Sequence, residues 1–273
     1  MTQHMTPRIA SLVPSATETL VALGLAPWLV ARTGFCIHPA EVVRQVPKVG
    51  GTKDVNLDKL RRLAPTHVVV NVDENRRETA DALRSFVPHV IVTHPCGPED
   101  NRGLFEQLRA AFTELPGVDA RAAQLTHTFD AALARCRATP APATSVLYLI
   151  WREPWMTVAR DTYISRLLAE AGWHTWPDVQ GGAHGAGRYP ALRGDEPGLA
   201  DVQRVLLSSE PYRFGPAHVT EAQALCPQAT VQLVDGERLS WWGARGAAGL
   251  DYLRELAHPP APDQDGPTHC PPH

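Results

Sequence analysis

The chain of 273 residues contains no run of about 20 apolar residues of the kind that spans a bilayer. It has no Cys-x-x-Cys pair and no surplus of positive charge: 26 basic side chains face 29 acidic ones, for a formal charge of −3. Without a basic footprint, nucleic acid is not expected as a partner. The five cysteines, at 36, 96, 136, 226 and 270, are odd in number and widely spread. Neither a disulfide framework nor a zinc ribbon follows, and reduced thiols are the simpler reading. The opening segment MTQHMTPRIASLVPSATETL lacks the basic, apolar and small-residue order of an export signal, because Pro14, Thr17 and Glu18 interrupt it. As the chain is written, a cytoplasmic protein without membrane insertion is expected.

Chemical motifs are also missing. There is neither a Walker loop nor G-x-G-x-x-G, which argues against nucleotide binding. No G-x-S-x-G elbow is present, and no Ser, His and Asp set is recognisable as a triad, so no enzyme is expected. What the chain does have is proline, 25 in all, clustered at 139–142 and after 258. The tail over 258–273 is expected to be disordered. Its ending, Thr-His-Cys-Pro-Pro-His, offers metal ligands, but an unpacked tail cannot hold their geometry.

Periodicity divides the rest into alternating strands and helices. Strands are predicted at Ile9 to Val13, His67 to Val70 and His89 to Val92, and helices from Ser15 to Leu23, over Leu57 to Leu63, from Arg76 to Phe86 and over Leu104 to Phe112. Ser15 and Glu18 have the spacing of a capping box, and Asn56 precedes the second of these helices. From Val118 the apolar positions Ala122, Leu125, Phe129 and Leu133 recur at helical spacing, with no glycine or proline before Pro140. A helix of roughly 20 residues is about 30 Å long, enough to bridge two small lobes. The alternation then resumes, with strands at Val146 to Ile150, Val205 to Leu207 and Val231 to Val234, and helices over Tyr163 to Ala171, Pro216 to Leu225 and Leu250 to Leu256. The segment 180–187 is glycine-rich and predicted to be a flexible loop. The fold class is therefore α/β: two Rossmann-like lobes (8–115 and 141–257) with parallel-rich sheets, joined by one long helix and linker (116–140), with a ligand cleft between them.

In such sheets the loops at the carboxyl ends of strands carry the chemistry. Cys36 and His38 lie one residue apart and form either a pair of metal ligands or a buried thiol beside a loop histidine. Gly50 and Gly51 allow close backbone approach or a plain turn, with Lys53 beside them as a donor to anions. Trp151, Trp155, Trp241 and Trp242 fall at or near predicted strand ends, where they would line a pocket for a large planar ligand or plug the lobe interface. Glu74, Glu78 and Glu210 would bind ligand, pair with arginines of a partner, or sit as solvated charges at helix starts.

Five segments in combination carry a family resemblance: RIASLVPSATETLVALG, VPKVGGTKDVNLDKLRRLAPTHVVVN, LIWREPWMTVARDTYISRLLAEAG, VLLSSEPYRF and LVDGERLSWWGAR. Over residues 8 to 256 the chain resembles the substrate-binding proteins of iron-siderophore, haem and cobalamin ABC importers, above all the cobalamin-receptor-like helical-backbone metal receptors. The resemblance implies two lobes, a long bridging helix, little hinge motion, and non-covalent capture of a metal chelate: cobalamin or another corrinoid, haem, or a ferric siderophore. It implies no permanent cofactor, a monomer, a periplasmic location and an ABC permease as partner. Carried over by position, it puts Phe35, Cys36, His38, Lys53, Asp73, Glu74 and Asn75 on the first lobe's cleft face, and Trp151, Arg152, Glu210, Trp241 and Trp242 on the second's. Glu78 and Glu221 are the corresponding permease-docking acids. The alternative is a cytoplasmic protein or enzyme that handles metals or corrinoids and keeps the fold without export.

Overall fold

A computed structural model describes residues 6–139 and 141–259. The tail from residue 260 on, with the Thr-His-Cys-Pro-Pro-His ending, lies outside the described residues. The strands are β1 (Ile9–Ser11), β2 (Leu29–Arg32), β3 (His67–Asn71), β4 (His89–Thr93), β5 (Thr144–Leu149), β6 (Trp173–Thr175), β7 (Arg204–Ser208) and β8 (Thr230–Val234). The helices are α1 (Pro14–Ala22), α2 (Ala40–Val43), α3 (Leu57–Arg62), α4 (Arg77–Leu83), α5 (Asp100–Phe112), α6 (Val118–Ala138), α7 (Tyr163–Ala169), α8 (Pro216–Leu225), α9 (Gly236–Ser240) and α10 (Gly246–Ala257).

The strands form two all-parallel sheets, ordered β2-β1-β3-β4 and β6-β5-β7-β8. The second repeats the first. Parallel strands are covered on both faces, which is why Val68, Val69 and Val70 of β3 and Leu147, Tyr148 and Leu149 of β5 are all buried. Strands β2 and β6 were not anticipated; both are short edge strands, and the sequence Trp-His-Thr of β6 carries no readable alternation.

α6 runs for 21 residues and buries Val118, Ala122, Phe129, Ala132, Leu133 and Cys136. It packs against α5 on one side and α10 on the other. One apolar cluster extends from Ile9 and Leu20 in the first lobe through Phe105 and Phe129 to Leu167 and Leu250 in the second. Each lobe adds a smaller cluster of its own. The lobes are therefore joined by continuous core as well as by chain.

Two local expectations need correction. Asn56 caps α3 by accepting from the Lys59 amide at 2.8 Å, but Ser15 does not cap α1. Pro14 already occupies the first helical turn, where it needs no N–H partner, so Val13 is the N-cap and makes no side-chain cap bond. Glu18 instead reaches across to Arg245. The glycine-rich segment is also held, because Asp161 accepts from the amides of Gly181 and Gly182, each at 2.8 Å.

Candidate functional site

The carboxyl ends of the two sheets face each other across a cavity of about 580 Å³. The first lobe lines it with Phe35 and Ile37 after β2, Thr52 and Lys53, Asn71 at the end of β3, Asp73 and Glu74 after it, and Pro95 after β4. The second contributes Ile150, Tyr163, Tyr189, Glu210, Trp241 and Trp242, among others.

Backbone geometry builds the first wall. Gly50 has φ +105°, and a Cβ there would lie 2.2 Å from the Asp54 carbonyl, so only glycine fits. Gly51 lets the Phe35 ring lie close to the chain, with 3.3 Å between the ring and the place a Cβ would take. Asn75 is buried and faces the protein: it accepts from the Asn71 amide at 2.8 Å and donates to the carbonyls of Thr52 and Leu12 at 2.9 and 3.2 Å. It ties three loops together and does not line the cavity. Lys53 Nζ donates to the Asp73 carbonyl at 2.7 Å.

In the second wall Trp241 Nε1 donates to Glu210 Oε2 at 2.8 Å, and the Arg245 guanidinium lies 4.5 Å from the Trp241 ring centre. Burial pushes the Glu74 carboxyl up to about 7; Lys53 opposes this, while Glu210 and Asp73 add to it. Glu210 moves in the same direction through burial, against the Trp241 hydrogen bond. Burial likewise raises the Tyr189 phenol.

Three seams hold the walls in place. Arg188, 1% exposed, pairs with Asp73 at 3.0 Å, while His94 Nε2 lies 3.6 Å from the same carboxylate and Cys96 Sγ lies 3.7 Å from Arg188 Nη2. On another side Arg245 pairs with Glu18 at 2.8 Å and with Glu237, and His38 Nε2 meets Glu237 at 3.1 Å. Asn101 Oδ1 and Thr19 Oγ1 accept from the amides of Gly243 and Ala244 at 2.6 and 3.0 Å. Gly243, at φ +77°, has no room for a Cβ, which would sit 2.1 Å from Thr19 Oγ1.

Several expected positions fall elsewhere. Cys36 is fully buried inside the first lobe, with its thiol 3.1 Å from Thr33 Oγ1 and its pKa raised by burial. It is not in the cavity lining. His38 is turned to Glu237 and stands edge-on to Trp241, with 5.6 Å between ring centres, so the two side chains do not converge as a ligand pair. Among the described residues no group of three or more His, Cys, Asp and Glu side chains is arranged to hold a metal ion. Arg152 pairs with Glu221 and Glu153, outside the cavity lining. Trp151 and Trp155 also lie outside the lining and join Tyr212 and Phe214 in an aromatic cluster. Glu78 is exposed in the first turn of α4. Tyr163, Tyr189 and Arg188 were missed; the last two directly follow the glycine-rich stretch, and the only sequence signal was that Arg-Tyr pair at its end.

A family model described as periplasmic binding protein matches residues 9–188, from β1 to Arg188. The chain belongs to the periplasmic binding protein family. Relatives of this periplasmic binding protein include a vitamin B12-binding protein of Vibrio vulnificus strain CMCP6, 26% identical over 165 residues, or 60% of this chain and 59% of that one. This chain thus spans less than two thirds of that relative's length. A vitamin B12-binding protein of Pectobacterium carotovorum strain PC1 is 24% identical over 82% of this chain and 88% of its own. Among solved structures, the periplasmic vitamin B12-binding protein of Vibrio cholerae superposes with a TM-score of 0.74 at 17% identity, covering 93% of this chain and 98% of that one. The periplasmic haem-binding protein of the same organism gives 0.75 at 19% identity over 93% and 99%. At such identities these structures establish the two-lobed α/β fold. Members of the family are binding proteins, and among the described residues no helix is long and apolar enough to cross a membrane.

Proposed function

We propose that this periplasmic binding protein captures a metal chelate of the corrinoid class, non-covalently, in a cleft between an amino-terminal lobe (8–115) and a carboxy-terminal lobe (141–257) bridged by 116–140. It then hands the chelate to an ABC-type permease from the periplasm. The carrying observation is the cavity of about 580 Å³ with Phe35, Tyr189, Trp241 and Trp242 in its walls. A mostly apolar cavity with a few placed polar groups is the usual form of a small-molecule site. The vitamin B12-binding names of the sequence relatives favour a corrinoid over haem or a ferric siderophore, and family membership favours import over chelate handling in the cytoplasm.

Phe35, Lys53, Glu74, Glu210, Trp241 and Trp242 are the contacts in this reading, with Tyr189 and Tyr163 added. The outward acids Glu78 and Glu221 serve docking to the permease. Titration of the purified protein with cyanocobalamin, haemin and ferrichrome, followed by tryptophan fluorescence, tests the reading. Saturable quenching by cyanocobalamin at micromolar concentration is expected, and the absence of quenching by all three overturns it. Fractionation of the native host tests the location, with recovery in the periplasmic fraction expected.

A further inference from the structure

The charges around the cavity are unevenly satisfied. Two arginines that touch lining residues are already engaged: Arg188 pairs with Asp73, and Arg245, stacked on Trp241, pairs with Glu18 and Glu237. Lys53, the one cation in the lining among the described residues, donates to the Asp73 carbonyl. Against this stand three lining carboxylates: Asp73, already engaged by Arg188, and then Glu74 and Glu210, one from each lobe. Among the described residues, Glu210 has one oxygen bonded to Trp241 and the other without a donor, and no hydrogen-bond donor reaches either oxygen of Glu74. The lining therefore presents strong acceptors that a ligand must supply with donors, because a desolvated acceptor left without one is costly. A ligand edge carrying negative charge meets like charge there, which strongly disfavours binding.

We propose that the cleft selects among planar chelates by the charge of their periphery: Glu74 and Glu210 admit an edge of neutral amide N–H donors and reject an edge of carboxylates. This rests on the corrinoid-binding reading and deepens it, since it separates amidated corrinoids from their unamidated acids and from haem with its two propionates. The groups that act on Glu74 are Lys53, Asp73, Glu210, Tyr189 and Cys36, and those that act on Glu210 are Trp241, Glu237, Arg245, Asp235, Tyr148 and Glu74 itself. Glu74 titrates near 7. An amide-edged ligand, which prefers the ionised carboxyl, therefore gains affinity between pH 6 and 8, whereas a carboxylate-edged one loses it.

The test compares two corrinoids of opposite periphery, cyanocobalamin with its amides and cobyrinic acid with carboxylates in their place, with haemin as a third probe, by fluorescence titration at pH 6 and pH 8. At pH 8 the amidated ligand is expected to bind at least about tenfold more tightly than the acid, a ratio worth one decade in Kd. The ratio is expected to shrink at pH 6. In the double variant Glu74→Gln, Glu210→Gln, with folding checked by circular dichroism, it is expected to fall to within about threefold at both pH values, mainly through tighter binding of the acid. The wild-type ratios stand as a test even if that variant does not fold. Equal binding of both corrinoids by the wild-type protein, or a ratio unchanged in the folded double variant, overturns the inference and leaves the corrinoid reading intact. No binding of cyanocobalamin, cobyrinic acid or haemin overturns that reading, and the inference falls with it.

Discussion

The two lobes have the same strand order and meet at the same cavity, yet they present opposite chemistry to it. The first lobe offers charge on a loop fixed by backbone contacts, with Lys53, Asp73 and Glu74 held by Asn75 and by the Gly50 turn. The second offers aromatic surface, with Tyr163, Tyr189, Trp241 and Trp242 around the single carboxylate of Glu210. The sheets decide where loops emerge, and the loops decide what a ligand meets. The ion pairs divide in a similar way: the Asp73–Arg188 seam is buried, whereas Arg152–Glu221 on the second lobe's surface is 30% and 41% exposed.

The largest effect is expected at the buried seam. Arg188→Ala leaves the Asp73 carboxylate with His94 as its nearest partner, and removing one member of a buried pair costs about 3 kcal/mol. Urea unfolding measures it. Replacing both members, Asp73→Leu with Arg188→Met, is expected to recover most of that loss, because paired burial is itself expensive. A loss under about 1 kcal/mol for Arg188→Ala would show that the second lobe's glycine-rich segment is held by Asp161 alone.

Between the two walls, the aromatic one is expected to dominate affinity. Trp241 is 6% exposed and packed between Arg245 and Glu210, whereas Phe35 is 62% exposed. Trp241→Ala is expected to weaken cyanocobalamin binding by about 2 kcal/mol, roughly thirtyfold, and Phe35→Ala by less than about 1 kcal/mol, since buried aromatic anchors carry most binding energy. Isothermal titration calorimetry on both variants decides it. The reverse ranking would make the first lobe the main binding surface.

The charged wall has a cost that pH exposes. A folded-state pKa of about 7 for Glu74, against 4.5 for the free side chain, means that folding disfavours its ionised form. The associated stability is fully present below pH 4.5 and is lost as pH rises through about 7. Glu74→Gln is therefore expected to unfold at higher urea than the native protein at pH 8, by about 1–2 kcal/mol after allowing for cleft water, and to converge with it near pH 4. Unfolding midpoints at the two pH values measure the crossover. A variant less stable than the native protein at pH 8 would show that Glu74 is held ionised, and that the first lobe's wall is electrostatically relaxed.

What could be read from sequence depended on how local the cause was. The valines of β3 and the apolar stripe of α6 are local patterns imposed by burial, and they located the sheet core and the bridging helix. Asn56 was legible because a cap acts within three residues. The capping box at Ser15 failed because the proline just before it had already started the helix. Side-chain direction was not legible. Cys36 and His38 are neighbours in sequence, yet one turns inward to Thr33 and Ser11 and the other crosses to Glu237, 199 positions away. Arg188 escaped notice because its partner is 115 residues distant and its surroundings are glycine. Of the tryptophans at strand ends, Trp241 and Trp242 line the cavity and Trp151 and Trp155 do not. That difference is set by how the loop after β5 turns, which composition does not record.

The smallest effect is expected at the exposed pair. Arg152 donates to Glu221 at 2.5 Å and to Glu153 at 2.8 Å, a geometry as close as that of the buried seam. Water reaches both partners, however, so Coulomb attraction is screened and the ordering of two long side chains offsets much of the gain. A double-mutant cycle on Arg152→Ala and Glu221→Ala, read by urea unfolding, is expected to give a coupling of about 0.5 kcal/mol that shrinks further in 0.5 M salt. The same cycle on Asp73 and Arg188 is expected to give several times more and to respond little to salt. Similar couplings for the two pairs would mean that distance, rather than burial, sets the strength of these contacts, and the distinction between seam and surface would then be lost.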